Sequence, residues 1–442
     1  MSTVTDVPAQ GWGRIRQIGP GIVAAATGVG IGDLAVSLVT GARYGTLLLW
    51  AVVIGAILKY AMAEGVGRWH LATGTTITRG WRELGNWTLI YFGVYIVIWG
   101  FSYGGAVMSA TALPLKTLFP AVPFNLWAVL SALAGFVLVL VGHYRLLEKV
   151  TMALVGLMFV TVVGTAVLVL PDIPEVVAGL VPRIPDGSVA PVLAMVGGVG
   201  GTITLAAYGM WIRAKGWRTS EWLAVMRIDA TTAYVLTGVF MIAMLIVGAN
   251  MLHAAGLDIE GQQGLTAFGE QLREQFGGWA RVLFLLGFWA TSFTSLLGVW
   301  NGVSMFFADF VETVREQRAG AAGGGTVATS SGGVEGEREQ DGAERPEVDL
   351  ERTPAFKVYL LWLTFPPMLL LFLAQPIALV VTYAILGAFF MPFLAATLLL
   401  LLNSRRRVPD GYRNGWLSNG TLAVGLLLFA FLLLQELVGQ FG

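Results

Sequence analysis

The sequence lacks cysteine, contains only three histidines and is poor in charge. Without cysteine it can form neither a disulfide nor a thiolate metal site. The histidines fall in predicted loops or at the ends of apolar segments, so no histidine ligand set is visible. Charged residues make up 12% of the chain, against about 25% in a soluble domain, and the net charge is zero. These absences exclude a cytosolic enzyme, a secreted disulfide scaffold and a nucleic-acid binder, which needs a basic face.

Apolar residues dominate the rest of the composition. They make up 56% of the chain, and the mean hydropathy is +0.73. Because a membrane span needs about 20 apolar residues, the sequence predicts an all-α polytopic membrane protein with eleven transmembrane helices in the lipid bilayer. The predicted spans are 18–42, 46–67, 88–113, 124–142, 150–170, 190–212, 230–252, 279–308, 356–373, 376–402 and 420–438.

The basic residues predict the orientation of these spans. Most of the 27 Lys and Arg residues fall in alternate connecting segments, and the positive-inside rule places those segments in the cytoplasm. We therefore expect a plasma-membrane protein with a cytoplasmic N-terminus and, after eleven spans, a C-terminus outside. The predicted units are an N-terminal tail 1–17, a five-span repeat 18–170, a second repeat 190–312 and 353–402, a disordered cytoplasmic loop 313–352, and a cytoplasmic loop with the eleventh span 403–442.

Two spans contain glycine clusters. Span 1 has Thr27-Gly-Val-Gly-Ile-Gly-Asp33, and span 6 has Val196-Gly-Gly-Val-Gly-Gly-Thr202. Glycine disfavours a helix interior, and interrupted spans in corresponding positions of two halves indicate an inverted-repeat transporter with a site near the bilayer midplane. We therefore predict that helices 1 and 6 are broken around Gly28–Gly32 and Gly197–Gly201 and face each other across a cavity. Close helix packing through small residues is the alternative.

Three charged residues within the spans are candidates for function. Asp33 follows the first glycine cluster near the midplane, where a carboxylate is costly unless it is paired, hydrated or bound to a cation. It is therefore the main candidate for binding a cation, although it could instead cap the second half of span 1. Lys59 and Glu64 in span 2 are candidates for coupling or for an ion pair. Snorkelling of Lys59 to the membrane surface is the simpler explanation.

Short motifs along nearly the whole chain resemble one known family. They are Gly19-Pro20-Gly21, Gly41-Ala-Arg-Tyr-Gly45, Leu71-Ala-Thr-Gly74, Arg145-Leu-Leu-Glu148, Gly179-Leu-Val-Pro182 and Arg227-Ile-Asp229. In this order they resemble the Nramp family of divalent-metal transporters. The resemblance implies the LeuT-type (APC superfamily) inverted repeat, with spans 1–5 and 6–10 as the two repeats. This agrees with the two predicted helix breaks.

The residues that bind metal in the family match poorly. The D-P-G-N stretch of span 1 places the family's Asp at Gly30 and its Asn at Asp33. The A-x-x-M-P-H stretch of span 6 places its Met at Thr204 and its His at Ala206, and a Gln of span 10 falls at Phe390. A hydroxyl thus replaces the soft thioether, which favours harder ions such as Mg²⁺ or Mn²⁺. The sequence is similar to a divergent, Nramp-related branch.

We weigh three functions. The first is a carrier or uniporter for a divalent metal cation, with Asp33 and Thr204 as metal ligands and no cofactor. The second is a carrier of a small organic amine or amino acid on the same scaffold, and the third is a sensor or scaffold that has lost transport. The family's proton-carrying acids of span 3 fall at Tyr103 and Ala106, so we expect no obligate proton coupling. We expect no enzymatic activity, and we expect a monomer. The candidate contacts to a small cationic substrate are Asp33, Thr27, Gly30, Gly201, Thr204, Tyr208 and Phe390.

Overall fold

The structure is a computed structural model, and it describes Pro8 and residues 11–142, 144–169, 173–253, 261–323, 349–373 and 376–441. Its regular elements are helices. They are α1 Pro20–Gly28, α2 Ile31–Tyr44, α3 Leu49–Thr73, α4 Ile77–Leu84, α5 Asn86–Leu118, α6 Phe124–Val141, α7 Tyr144–Met158, α8 Gly164–Leu168, α9 Ile173–Gly179, α10 Val189–Gly198, α11 Thr204–Ala214, α12 Leu223–Gly248, α13 Gly261–Phe276, α14 Gly278–Gly323, α15 Pro354–Thr364, α16 Leu370–Leu373, α17 Pro376–Leu402 and α18 Trp416–Phe441.

The eleven predicted spans are confirmed. Within the described part of the chain, seven helical stretches are long and apolar enough to cross a bilayer, and the apolar helices α17 and α18 add two more. The two remaining spans are the broken pairs α1–α2 and α10–α11. The predicted loop 313–352 differs at its start, because α14 continues to Gly323. Residues 324–348 of that loop lie outside the described residues.

Both predicted helix breaks are present. Helix α1 ends at Gly28 and α2 begins at Ile31, while α10 ends at Gly198 and α11 begins at Thr204. Gly200 and Gly201 have φ angles of +73° and +80°, which lie in the left-handed region that favours glycine. The cluster in span 6 is therefore needed for the backbone to leave the helix and not only for close packing.

The broken helices lie at the centre of the bundle. Helix α1 packs against α11, α12 and α14, and α3 packs against α10, α11 and α12. Helix α11 is buried from Thr204 to Ile212. Gly41 of α2 and Gly248 of α12 allow these two helices to cross closely, since a Cβ at Gly41 would lie 2.1 Å from the carbonyl oxygen of Leu245. The two breaks are thus enclosed by spans from both halves of the chain.

Candidate site at the two helix breaks

The two breaks touch each other through their backbones. A Cβ added at Gly28 would lie 2.5 Å from the carbonyl carbon of Gly200, and one added at Gly201 would lie 2.9 Å from the Cα of Gly28. No side chain fits at this contact. The prediction that the two breaks face each other is confirmed. The prediction of a cavity between them is wrong at Gly28 and Gly200, because glycine lets the two chains come into direct contact.

Lys59 reaches this contact from α3. Its Nζ donates a hydrogen bond to the carbonyl oxygen of Gly201, and its side chain is fully buried. Gly55, one turn earlier, allows α3 to approach the break, since a Cβ there would lie 2.9 Å from the carbonyl oxygen of Val196. Lys59 therefore does not snorkel to the membrane surface. Its ammonium lies at the unwound segment of the sixth span.

Helix α14 holds the other side of the first break. Ser295 Oγ donates to the carbonyl oxygen of Thr27 at 2.7 Å, and a Cβ at Gly30 would lie 3.1 Å from the same Oγ. Tyr103 OH lies 2.8 Å from Ser295 Oγ. The Thr27 hydroxyl donates to the carbonyl of Val23 at 2.5 Å. The predicted contacts Thr27 and Gly30 are therefore at the break, where Thr27 presents a carbonyl that already accepts one hydrogen bond.

Two predicted ligands lie in the first turns of the helices that follow the breaks, α2 and α11. Thr204 is the first residue of α11, and its buried Oγ1 has no hydrogen-bond partner among the described residues. Asp33 is the third residue of α2, so it is not the cap of that helix. Its side chain lies outside the described residues. A carboxylate in the first turn is favoured by the helix dipole. No group of three His, Cys, Asp or Glu that could hold a metal occurs among the described residues.

Two predicted contacts have other partners. Tyr208 OH donates to Asp229 Oδ2 at 2.8 Å, one turn beyond Thr204 on α11. Phe390 is fully buried and stacks on Tyr95 with ring centroids 5.3 Å apart. Gly387 of α17 also approaches the sixth-span break, since a Cβ there would lie 2.8 Å from Thr202 Cγ2. The substrate roles given to Tyr208 and Phe390 remain predictions, and Gly387 is a contact that the sequence did not indicate.

Asp229 is a second residue that sequence reasoning missed. Its carboxylate accepts hydrogen bonds from the backbone N–H groups of Gly19 at 2.8 Å and Gly21 at 2.6 Å. With Tyr208 it fastens the start of α1 to α11 and α12. The signal was present in the motifs Gly19-Pro20-Gly21 and Arg227-Ile-Asp229, because free N–H groups at a helix start require an acceptor.

Glu64 belongs to an ion-pair cluster at the side assigned to the cytoplasm. Its carboxylate lies 3.1 Å from Arg68 and 3.0 Å from Arg227. Arg68 also donates to Asn414 at 2.7 Å, in the segment before α18. A second pair, Lys215 and Glu148, lies 2.5 Å apart across the ends of α11 and α7. Glu64 therefore forms ion pairs with Arg68 and Arg227, and Lys59 is not among these partners. A role of Glu64 in coupling remains a prediction.

Comparison with known proteins agrees with this architecture. Residues 21–438 match the family described as natural resistance-associated macrophage protein-like (Nramp). An uncharacterized protein of Pasteurella multocida is 22% identical over 314 residues, which are 66% of this chain and 69% of that protein. The divalent metal cation transporter MntH of Xanthomonas campestris is 27% identical over 266 residues, or 55% of this chain, and the match spans 58% of the length of that transporter.

Solved structures show the same fold. The manganese transporter of Eremococcus coleocola has a TM-score of 0.75 at 15% identity, and the match covers 100% of this chain and 92% of that protein. MhsT bound to L-phenylalanine matches with a TM-score of 0.51 at 16% identity, covering 92% of this chain and 98% of that protein. The predicted inverted-repeat fold with broken helices 1 and 6 is thereby confirmed.

Proposed function

Because the chain belongs to the Nramp family, matched over residues 21–438, we propose that it is a carrier of a divalent metal cation. It works by alternating access as a monomer in the plasma membrane, with its N-terminus in the cytoplasm, and it is not an enzyme. The relatives named as divalent metal cation transporters support the substrate class. The site supports a harder ion such as Mg²⁺ or Mn²⁺, because its candidate donors are oxygens and no sulfur is among them.

The observation that carries this proposal is the ammonium bound at the sixth-span break. The carbonyl oxygen of Gly201 accepts a hydrogen bond from Lys59 Nζ, so the unwound backbone already stabilises a positive charge. The Thr27 carbonyl and the Thr204 hydroxyl add oxygens on either side of the contact between Gly28 and Gly201. Asp33, on the first turn of α2, is our candidate for the one carboxylate of this site.

The direct contact of the two breaks favours an ion over an organic solute. Gly28 and Gly200 leave no space for a side chain between their backbones. A metal ion needs a few oxygens within about 2.0–2.6 Å, whereas an amine or amino acid requires a cavity large enough for its carbon skeleton. A small displacement of the two segments is sufficient for the first and not for the second.

A ligand scan on the purified full-length protein tests the proposal. Thermal unfolding is followed with Mn²⁺, Mg²⁺, Ca²⁺ and, separately, a set of primary amines and amino acids. A ligand present at a hundredfold over its Kd stabilises the folded state by about 2.7 kcal/mol, which is a measurable rise in Tm. We expect a rise with a divalent cation and none with the organic compounds. A rise in Tm with an amine alone would show that the substrate is organic and not a metal ion. No rise in Tm with any of these compounds would contradict a transport function.

The variant Asp33→Asn tests the carboxylate. It removes the charge and keeps the shape, and Asn in the first turn of a helix costs little compared with a lost buried bond. We expect loss of Mn²⁺ uptake into proteoliposomes with a nearly unchanged Tm. Asp186→Asn, in an exposed loop, is the matched control and should transport normally. Near-normal uptake by Asp33→Asn would end the role of this carboxylate in binding the cation.

A further inference from the structure

The ammonium of Lys59 lies where a cation-binding site would hold its cation. It is fully buried within α3, and its Nζ bonds to a carbonyl that the break in the sixth span has removed from helical pairing. A fully buried lysine is rare because desolvating its charge is costly. Its Nζ also lies 5.6 Å from the centre of the Phe429 ring on α18, close enough for a cation–π contact.

The approach of α3 to the break explains how the ammonium reaches it. Gly55 lies one helical turn before Lys59 on the same face, and a Cβ there would lie 2.6 Å from Val199 Cγ2. Any larger residue at Gly55 would push α3 away from the unwound segment. The small residue at Gly55 and the long side chain of Lys59 together bring the ammonium to Gly201. Gly201 is itself in contact with the first break, since a Cβ added there would lie 2.9 Å from the Cα of Gly28.

We propose that the Lys59 ammonium is a tethered cation that occupies the Gly201 carbonyl of the empty carrier and must leave it before a divalent cation binds there. This inference rests on the proposed function and identifies Lys59 as a residue that sets the affinity for substrate. The Gly201 carbonyl cannot bind the Lys59 ammonium and a divalent cation at the same time, because like charges a few ångströms apart in a low-dielectric interior repel strongly. Metal entry therefore requires displacement of Lys59, and return of Lys59 helps to expel the metal.

The competing explanation is that Lys59 only anchors α3 to the broken helix. The two explanations differ in the effect of charge. An anchor acts through its hydrogen bond, so an uncharged side chain that keeps the bond keeps the function. A competing cation acts through its charge, so an uncharged replacement strengthens metal binding.

The experiment compares Mn²⁺ affinity by isothermal titration calorimetry on the purified full-length chain and three variants. Lys59→Gln retains a donor without charge, Lys59→Met removes both, and Lys59→Arg retains the charge. Lys116→Met is the matched control, because Lys116 Nζ also donates to backbone carbonyls, those of Pro120 at 2.6 Å and Val122 at 3.1 Å, away from the breaks. We expect Mn²⁺ to bind Lys59→Gln and Lys59→Met about tenfold more tightly or better, because the competing charge is gone. Lys59→Arg, which keeps the charge, should bind Mn²⁺ no more tightly than the unchanged chain, and Lys116→Met should bind it as the unchanged chain does.

Each other outcome has a defined consequence. Binding to the unchanged chain with equal or weaker binding to Lys59→Gln and Lys59→Met overturns this inference and leaves the proposed function in place. No Mn²⁺ binding to the unchanged chain with clear binding to Lys59→Gln supports the inference. No binding by any of them overturns the inference and contradicts metal transport. Failure of both uncharged variants to fold also overturns it, because a carrier that must release Lys59 tolerates the loss of its bond.

Discussion

The carboxylate of Asp229 holds the start of α1, and its removal should free that end of the helix. Oδ1 accepts from Gly19 N–H, and Oδ2 accepts from Gly21 N–H and from Tyr208 OH. In Asp229→Asn one oxygen becomes an NH₂ group that faces a donor. At least one of the three bonds is then lost. A hydrogen bond to a charged group contributes about 1.5–3 kcal/mol, so the fraction of molecules with α1 detached should rise roughly 10- to 150-fold.

The absence of native cysteine makes this population measurable. A single cysteine is introduced as Ala24→Cys, because Ala24 is buried in α1 one turn beyond Gly21. Its rate of modification by a charged thiol reagent reports exposure of α1. We expect the rate to increase by at least tenfold in Asp229→Asn. It should increase by less in Tyr208→Phe, which keeps the charged carboxylate and its two bonds to the Gly19 and Gly21 N–H groups.

The control for this series is Thr231→Ala. The Thr231 hydroxyl bonds only to the Arg227 carbonyl of its own helix among the contacts described, so the substitution leaves α1 untouched. Equal modification rates in Asp229→Asn and in the chain with Asp229 intact would refute the conclusion that this carboxylate fastens α1.

Two further predictions concern the breaks and coupling. Gly28→Ala should lower Tm and abolish uptake, because the new Cβ would clash with the backbone of Gly200, which cannot move aside as a side chain could. The control Gly156→Ala, where a Cβ meets nothing within 4 Å, should be neutral or stabilise α7 by up to about 1 kcal/mol. Equal behaviour of the two variants would contradict the tight backbone contact. Uptake of Mn²⁺ should proceed without a fixed stoichiometry of protons, because Tyr103 and Ala106 stand at the buried face of α5 where the family resemblance places acids; a pH-sensitive dye inside the vesicles would reveal coupling that contradicts this.

The helix breaks could be predicted from the sequence because their cause is local. Glycine raises the cost of a helix wherever it stands, and two clusters in corresponding spans are visible without any tertiary information. The number of spans was predictable for the same reason, since apolar length alone identifies a membrane helix. The consequence of the clusters was less predictable. Glycine permits both a cavity and a direct backbone contact, and the packing of the neighbouring helices selects the contact between Gly28 and Gly200.

The partners of the charged residues could not be predicted, because they depend on tertiary structure. Lys59 and Gly201 are 142 positions apart, and only the close approach of α3 at Gly55 joins them. Asp229 stands 210 positions from Gly19. The position of Phe390 followed from alignment to a family motif, and its substrate role remains a prediction. Gly387, one turn earlier on the same face of α17, contacts Thr202 at the break, and this contact depends on packing between spans that the sequence does not show.

The start of α1 and the length of α2 are attached to α12 in different ways, and this difference suggests which part moves. Helix α2 is held by close packing against α12, with Gly41 against the Leu245 carbonyl and Gly248 against the Leu38 carbonyl. Separating the two helices would lose this close contact between small residues. Helix α1 is held at its start by the side chain of Asp229, and water at the membrane surface can replace those bonds. The break at Val29 and Gly30 separates the two halves. We therefore expect α1 to move while α2 stays in place, so that access to the breaks opens first on the side assigned to the cytoplasm.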